Sequence, residues 1–137
     1  MNAIAAGASG EFELDVKPEH LANRFKDQML PAVLATPVMI MIMENAALNA
    51  IKPYLQAGES ALGTRVDILH LAATPAGRHV RGIAKVTRVE GRRIFFEVSA
   101  WDGELEIGRG VHERTLIDLE KFQKRLDEKY SGKAGPA

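Results

Sequence analysis

The chain contains no cysteine. Disulfides, thiolate catalysis and cysteine-ligated zinc are therefore excluded. Net charge is also missing: 18 Lys+Arg face 18 Asp+Glu, for a formal charge of +0. That balance gives no electrostatic ground for expecting a nucleic acid or an anionic membrane as partner. No long hydrophobic run occurs either. The longest apolar stretch, Leu30 to Met43, is interrupted by Pro31, Thr36 and Pro37 and falls short of the roughly 20 residues a membrane helix needs. The opening MNAIAAGASGEFELD has no basic region and no apolar core, so no secretory signal is expected. These absences point to a soluble cytoplasmic protein. Its 137 residues suit one domain with a sizeable core.

Several chemistries are missing as well. GESALGT has glycines at phosphate-loop spacing but lacks the lysine. His20, His79 and His112 have no ligand spacing with each other, so neither a metal nor another cofactor is expected. Ser60 and Ser99 lack a nucleophile-elbow context. Arg88, Arg92 and Arg93 form a local basic cluster, suited equally to a phosphate and to a solvated hairpin tip.

What is present begins with a strand pattern, Phe12, Leu14 and Val16 alternating with charged residues, ended by Pro18. Residues 19 to 30 suit a short helix or a lid. Thr36 reads as an N-cap with Pro37 at the first helical position, opening a helix predicted over 36 to 52. PVMIMIMENAALNA is apolar on nearly every side, and such a helix is expected to be buried. Beyond Gly58 the period changes to two. Leu62, Thr64, Val66, Ile68, His70, Ala72 and Thr74 read as one face of a long strand. Val80 to Val89, Arg93 to Trp101 and Leu105 to Leu116 read as three further strands joined by tight turns. Gly108 and Gly110 suggest a bulge or a close backbone approach. Asp118 is placed to cap a last helix with a Leu119, Phe122 and Leu126 stripe.

Consecutive hairpins make an antiparallel meander. Its apolar face and the apolar helix each need covering, and wrapping the sheet around the helix satisfies both. The fold class is therefore α+β, a hot-dog fold; a general α+β sandwich of the same parts is the alternative. One domain is predicted over residues 11–129, with flexible termini at 1–10 and 131–137.

Two residues stand out for chemistry. Glu44 lies in the middle of the apolar helix. It is either a structural carboxylate paired with an arginine, or a base or nucleophile whose pKa burial would raise. His70 shares a strand face with Val66 and Ile68. Alone it suits a core histidine; beside a buried carboxylate it suits acid–base chemistry. Thr36, Gly63 and Arg114 carry little signal by themselves.

The blocks ATPVMIMIMENAA, PYLQAGESALGTRVDILHLAATPAG, VEGRRIFFEVSAWDGELEIGRGVHER and LEKF resemble the fluoroacetyl-CoA thioesterase family of hot-dog proteins. The resemblance implies hydrolysis of an acyl-CoA, with a catalytic threonine, glutamate and histidine at Thr36, Glu44 and His70. It implies substrate contacts at Gly63 and Arg114. The family's lid before the helix is rich in phenylalanine, whereas LANRFKDQMLPAVLATP holds only Phe25. Phe25 is thus the candidate lid contact, and a small acyl-CoA is the expected substrate. Thr36 and Glu44, eight residues apart, are separated by about 12 Å of helical rise. A site shared between two chains of a homodimer would resolve that distance. A non-catalytic acyl-CoA or lipid binding module and a hot-dog hydratase or dehydratase are the alternatives.

Overall fold

The structure, a computed structural model, describes residues 3–132. The outermost parts of the expected flexible termini, residues 1–2 and 133–137, lie outside the described residues. One antiparallel sheet in the order β1-β3-β4-β5-β2 is built from β1 (Ser9–Asp15), β2 (Glu59–His70), β3 (His79–Glu90), β4 (Arg93–Asp102) and β5 (Leu105–Asp118). Three helices join it: α1 (Ala22–Phe25), α2 (Thr36–Ile51) and α3 (Leu119–Tyr130). β1 begins earlier than its alternation suggests. Ser9 and Gly10 pair with Lys85 and Ala84, so these two residues are not part of a loose terminus.

The sheet curls around α2. Met39, Ile42, Met43, Ala46, Ala47 and Ile51 are all within 1% of complete burial; burying one such Ile or Met side chain contributes about 2 kcal/mol. α2 packs chiefly against β1 and β3, less against β4, and only lightly against β2 and β5. Its alanines permit the close side of that packing, and the light side leaves room for polar groups.

Three expectations need correction. First, α2 is not covered all round. Ile40, Met41, Glu44, Asn45 and Leu48 are half-buried and recur at three- and four-residue spacing, so they form one stripe along the helix. Second, Thr36 is not the N-cap. Ala35 is, its carbonyl accepting from Val38 N–H at 3.0 Å and Met39 N–H at 3.1 Å; Thr36 is the first helical residue and Pro37 the second. Third, β2 does not carry one continuous face. Its register against β5 slips between Gly63 and Arg65, and the extra residue, Thr64, donates instead to the Glu113 carbonyl at 3.3 Å. A bulge reverses the alternation, so Ala61 and Gly63 share the helix side with Val66 and His70, while Leu62 faces out.

The remaining elements follow the pattern in the chain. The Asp118 side chain accepts from Lys121 N–H at 3.0 Å and caps α3. The Leu119, Phe122 and Leu126 stripe is only lightly covered, with Leu119 and Leu126 exposed. Gly110 lies against the Asp67 and Ile68 backbone, the close approach its type suggested.

Candidate functional site

Glu44 comes off the half-buried stripe of α2 and points toward β2 and β5. A Cβ built on Gly63 would stand 2.8 Å from Glu44 Oε2, 3.3 Å from His112 Cε1 and 3.8 Å from Arg114 Nη1. Gly63 is outside the positive-φ region, so its type reflects this crowding and not its backbone conformation. Gly63 pairs with Arg114 across the ladder, and Val66 with His112. His112 and Arg114 are therefore alternate residues on the helix side of β5, and both are buried.

Arg114 donates through Nη2 to the Ala61 carbonyl at 2.8 Å. Its Nη1 lies 3.3 Å from His112 Nε2, and its Nε is buried without a partner. Burial pushes the guanidinium pKa below its ordinary value, with the Glu44 charge opposing. His112 stacks on Phe96 at 5.6 Å and contacts the Arg65 carbonyl through Nδ1 at 2.8 Å. Its pKa is pushed down mainly by burial, a fall opposed by the Arg65 carbonyl.

A second cluster lies at the N-terminal end of α2. Thr36 Oγ1 and His70 Nδ1 are 2.8 Å apart. Because Ala35 caps the helix, the Thr36 hydroxyl is free for this contact. His70 Nε2 is buried without a partner. Burial lowers the His70 pKa, and the Ala72 backbone offsets part of the fall. Both residues line a cavity of about 420 Å³ with Ala22, Leu30, Leu34 and Leu71. The segment before α2 forms one wall of this cavity. It is pinned by Ala22 N–H to the Val33 carbonyl (2.7 Å), Ala35 N–H to His20 (2.9 Å) and Leu34 N–H to Thr74 (2.7 Å).

The chain therefore brings Thr36 to His70, and Glu44 to Gly63 and Arg114, but keeps the two groups apart. Gly63 and His70 are seven residues apart on β2, roughly 20 Å at ordinary strand rise. Phe25 is 53% exposed and does not line the Thr36–His70 cavity. Of the arginine cluster, Arg88 and Arg93 flank the Phe95 ring at 3.7 and 4.9 Å and pair with Glu90 and Glu113 at 3.2 and 2.7 Å, which fits a hairpin tip. Sequence reasoning weighed His112 only as a metal ligand and did not place it beside Arg114. The readable signal was its alternation with Arg114 on a face that also carries Gly110, but strand periodicity does not separate a core histidine from a functional one.

An antiparallel sheet curled around one apolar helix is the hot-dog architecture, in the form shared with thioesterases. A family model described as fluoroacetyl-CoA-specific thioesterase matches residues 16–120, and the chain belongs to that family of thioester hydrolases. It is 48% identical over 99 residues to the fluoroacetyl-CoA thioesterase of Streptantibioticus cattleyicolor, covering 72% of this chain and 71% of the relative. The solved structure of the fluoroacetyl-CoA thioesterase FlK matches with a TM-score of 0.87 at 38% identity, over 94% of this chain and 99% of that one. A Thermus thermophilus thioesterase superfamily member matches with a TM-score of 0.85 at 33% identity, over 94% and 97%.

Proposed function

We propose that this protein hydrolyses a small acyl-CoA to the free acid and CoA, in a site shared between two chains. The observation that carries the reading is the convergence of Glu44, Arg114 and His112 on Gly63, where a Cβ would meet the carboxylate at 2.8 Å. Gly63 leaves room there for an acyl group, and Arg114 supplies a buried positive charge to hold it. Glu44 attacks the thioester carbonyl to give a mixed anhydride and CoA thiolate, and water then cleaves the anhydride to the free acid and regenerated Glu44; or Glu44 activates water for direct attack on the thioester. His70 moves the protons. With Nδ1–H donating to Thr36 Oγ1, its buried Nε2 keeps a free lone pair that takes a proton from water and passes it toward the thiolate.

The roughly 20 Å between Gly63 and His70 within one chain supports a second chain as the source of the histidine. β2 is one of the two edge strands; it is 12 residues long and exposes Leu62, Val66 and Leu69. Such an edge favours pairing. A twofold axis near Val66 and Asp67 sets Gly63 opposite the partner's His70. The half-buried α2 stripe would be covered in the same assembly. The reading extends to a single catalytic domain over 11–129 and to action in the cytoplasm. Among the described residues no helix is long and apolar enough to cross a membrane.

Thiol release from a panel of acyl-CoAs, fluoroacetyl-CoA and acetyl-CoA first, tests the activity. Release of CoA is expected. Hydration or a shifted double bond would make the protein a hydratase, and binding without turnover would make it a carrier.

A further inference from the structure

The His112 ring has a hydrogen-bond partner at each nitrogen. The Arg65 carbonyl can only accept, so Nδ1, at 2.8 Å, must carry a proton. A guanidinium can only donate, so Nε2, at 3.3 Å from Arg114 Nη1, must be the bare nitrogen. The two partners together select one neutral tautomer. An imidazolium could not make the second bond. The charged groups acting on the ring are Arg114 and Glu113 from β5 and Glu44 from α2; Phe96 of β4 covers its face.

Arg114 is thus anchored twice, to His112 and to the Ala61 carbonyl at 2.8 Å. Both anchors depend on β2 residues close to Gly63: Ala61 directly, and Arg65 through His112. Arg114 and Glu44 carry opposite charges and interact electrostatically. Yet among the described residues no ion pair joins them, although both approach Gly63. The guanidinium is bonded to His112 and the Ala61 carbonyl instead.

We infer that His112 is a positioning residue which, as its Nδ1–H tautomer, anchors Arg114 and keeps its guanidinium from closing onto Glu44. A directly paired Glu44 is a poorer nucleophile and base, because the ion pair stabilises the carboxylate and occupies its oxygens. The restraint leaves Glu44 available and leaves Arg114 Nε–H unpaired for substrate. This inference rests on the thioesterase reading only for its effect on rate.

The structural part is tested without turnover. Nitrogen-15 spectra of the wild-type histidines at neutral pH should show His112 neutral with the proton on Nδ1. A proton on Nε2, or an imidazolium, would overturn the inference. Two variants test the restraint. His112→Phe keeps an aromatic ring against Phe96 but removes both nitrogens. His112→Gln places an amide oxygen near the Nε2 position as a replacement acceptor. In folded His112→Phe, a crystal structure should show the Arg114 guanidinium paired with the Glu44 carboxylate, and kcat should fall roughly tenfold or more. His112→Gln should restore both toward wild type. Equal loss in the two variants, or an Arg114 guanidinium that stays apart from Glu44 in His112→Phe, would refute the restraint. Absence of CoA release from wild type would sink the thioesterase reading, while the tautomer and the Arg114–Glu44 geometry in His112→Phe would still decide the role of His112.

Discussion

Gly63→Ala separates site geometry from fold stability. The new methyl carbon would stand 2.8 Å from Glu44 Oε2, where ordinary contact begins at 3.4 Å. The carboxylate must retreat by about 0.6 Å, or the strand must move by a similar amount. Glu44 ends a flexible, half-buried side chain, so it yields first, and the His112 contact at 3.3 Å gives by a few tenths. The backbone asks nothing special of residue 63. Alanine there should even gain a few tenths of a kcal/mol from a less flexible unfolded chain. The expected result is a melting temperature equal to or slightly above wild type, with kcat lowered about 10- to 100-fold by misplacement of the carboxylate. Calorimetry and thiol release on one preparation measure both. A wild-type kcat in folded Gly63→Ala would refute the reasoning, since the methyl cannot share that space with Glu44 as placed. The contrasting substitution is Gly110→Ala. Its methyl would meet the Asp67 and Ile68 backbone, which cannot yield cheaply, so it should destabilise by more than about 2 kcal/mol.

Other outcomes follow from the same geometry. Glu44→Gln is nearly isosteric and should keep the fold and acyl-CoA binding while nearly abolishing hydrolysis, as read by thiol release and calorimetric binding. Burial lowers the His70 pKa, so the acid limb of kcat should fall below the ordinary histidine value of 6.5 and shift or vanish in His70→Ala, which should also cost about 10²-fold or more in rate. His70 and His112 are both depressed, so the unfolded chain binds protons that the folded chain refuses. Their contribution to stability is then present above the unfolded value and lost as pH falls through the folded values, visible as a melting temperature that drops with acidification. Phe25→Ala should leave activity largely intact, because Phe25 is exposed and outside the Thr36–His70 cavity; competition between acyl-CoAs measures any change in preference.

Most of the architecture was legible because the chain states its periods clearly. The switch from apolar-all-round to alternation at Gly58, and the turn residues after it, define a meander beside a helix. The Thr64 bulge was not legible, since Leu62, Thr64 and Val66 alternate without a break and only the ladder with β5 reveals the slip. The half-exposure of Ile40, Met41 and Leu48 was hidden for a related reason. Apolar residues that the fold leaves half-covered look the same in sequence as those facing a core. Glu44 and His70 were found as polar residues on apolar faces. Thr36 was misread as a cap because the preference for Thr before Pro is real, but the Ala35 carbonyl takes that role. His112 escaped because one histidine on a strand has no periodic signature.

The central claim is that Glu44 of one chain works with His70 of another, and subunit mixing tests it most directly. Glu44→Gln and His70→Ala homodimers are each inactive by this account. Exchanged at equal concentration, half the dimers become heterodimers, and each contains one site with both native residues. Activity should recover to about a quarter of wild type per chain. If both variants fold, exchange subunits and yet recover nothing, the two residues act within one chain and the shared site is wrong.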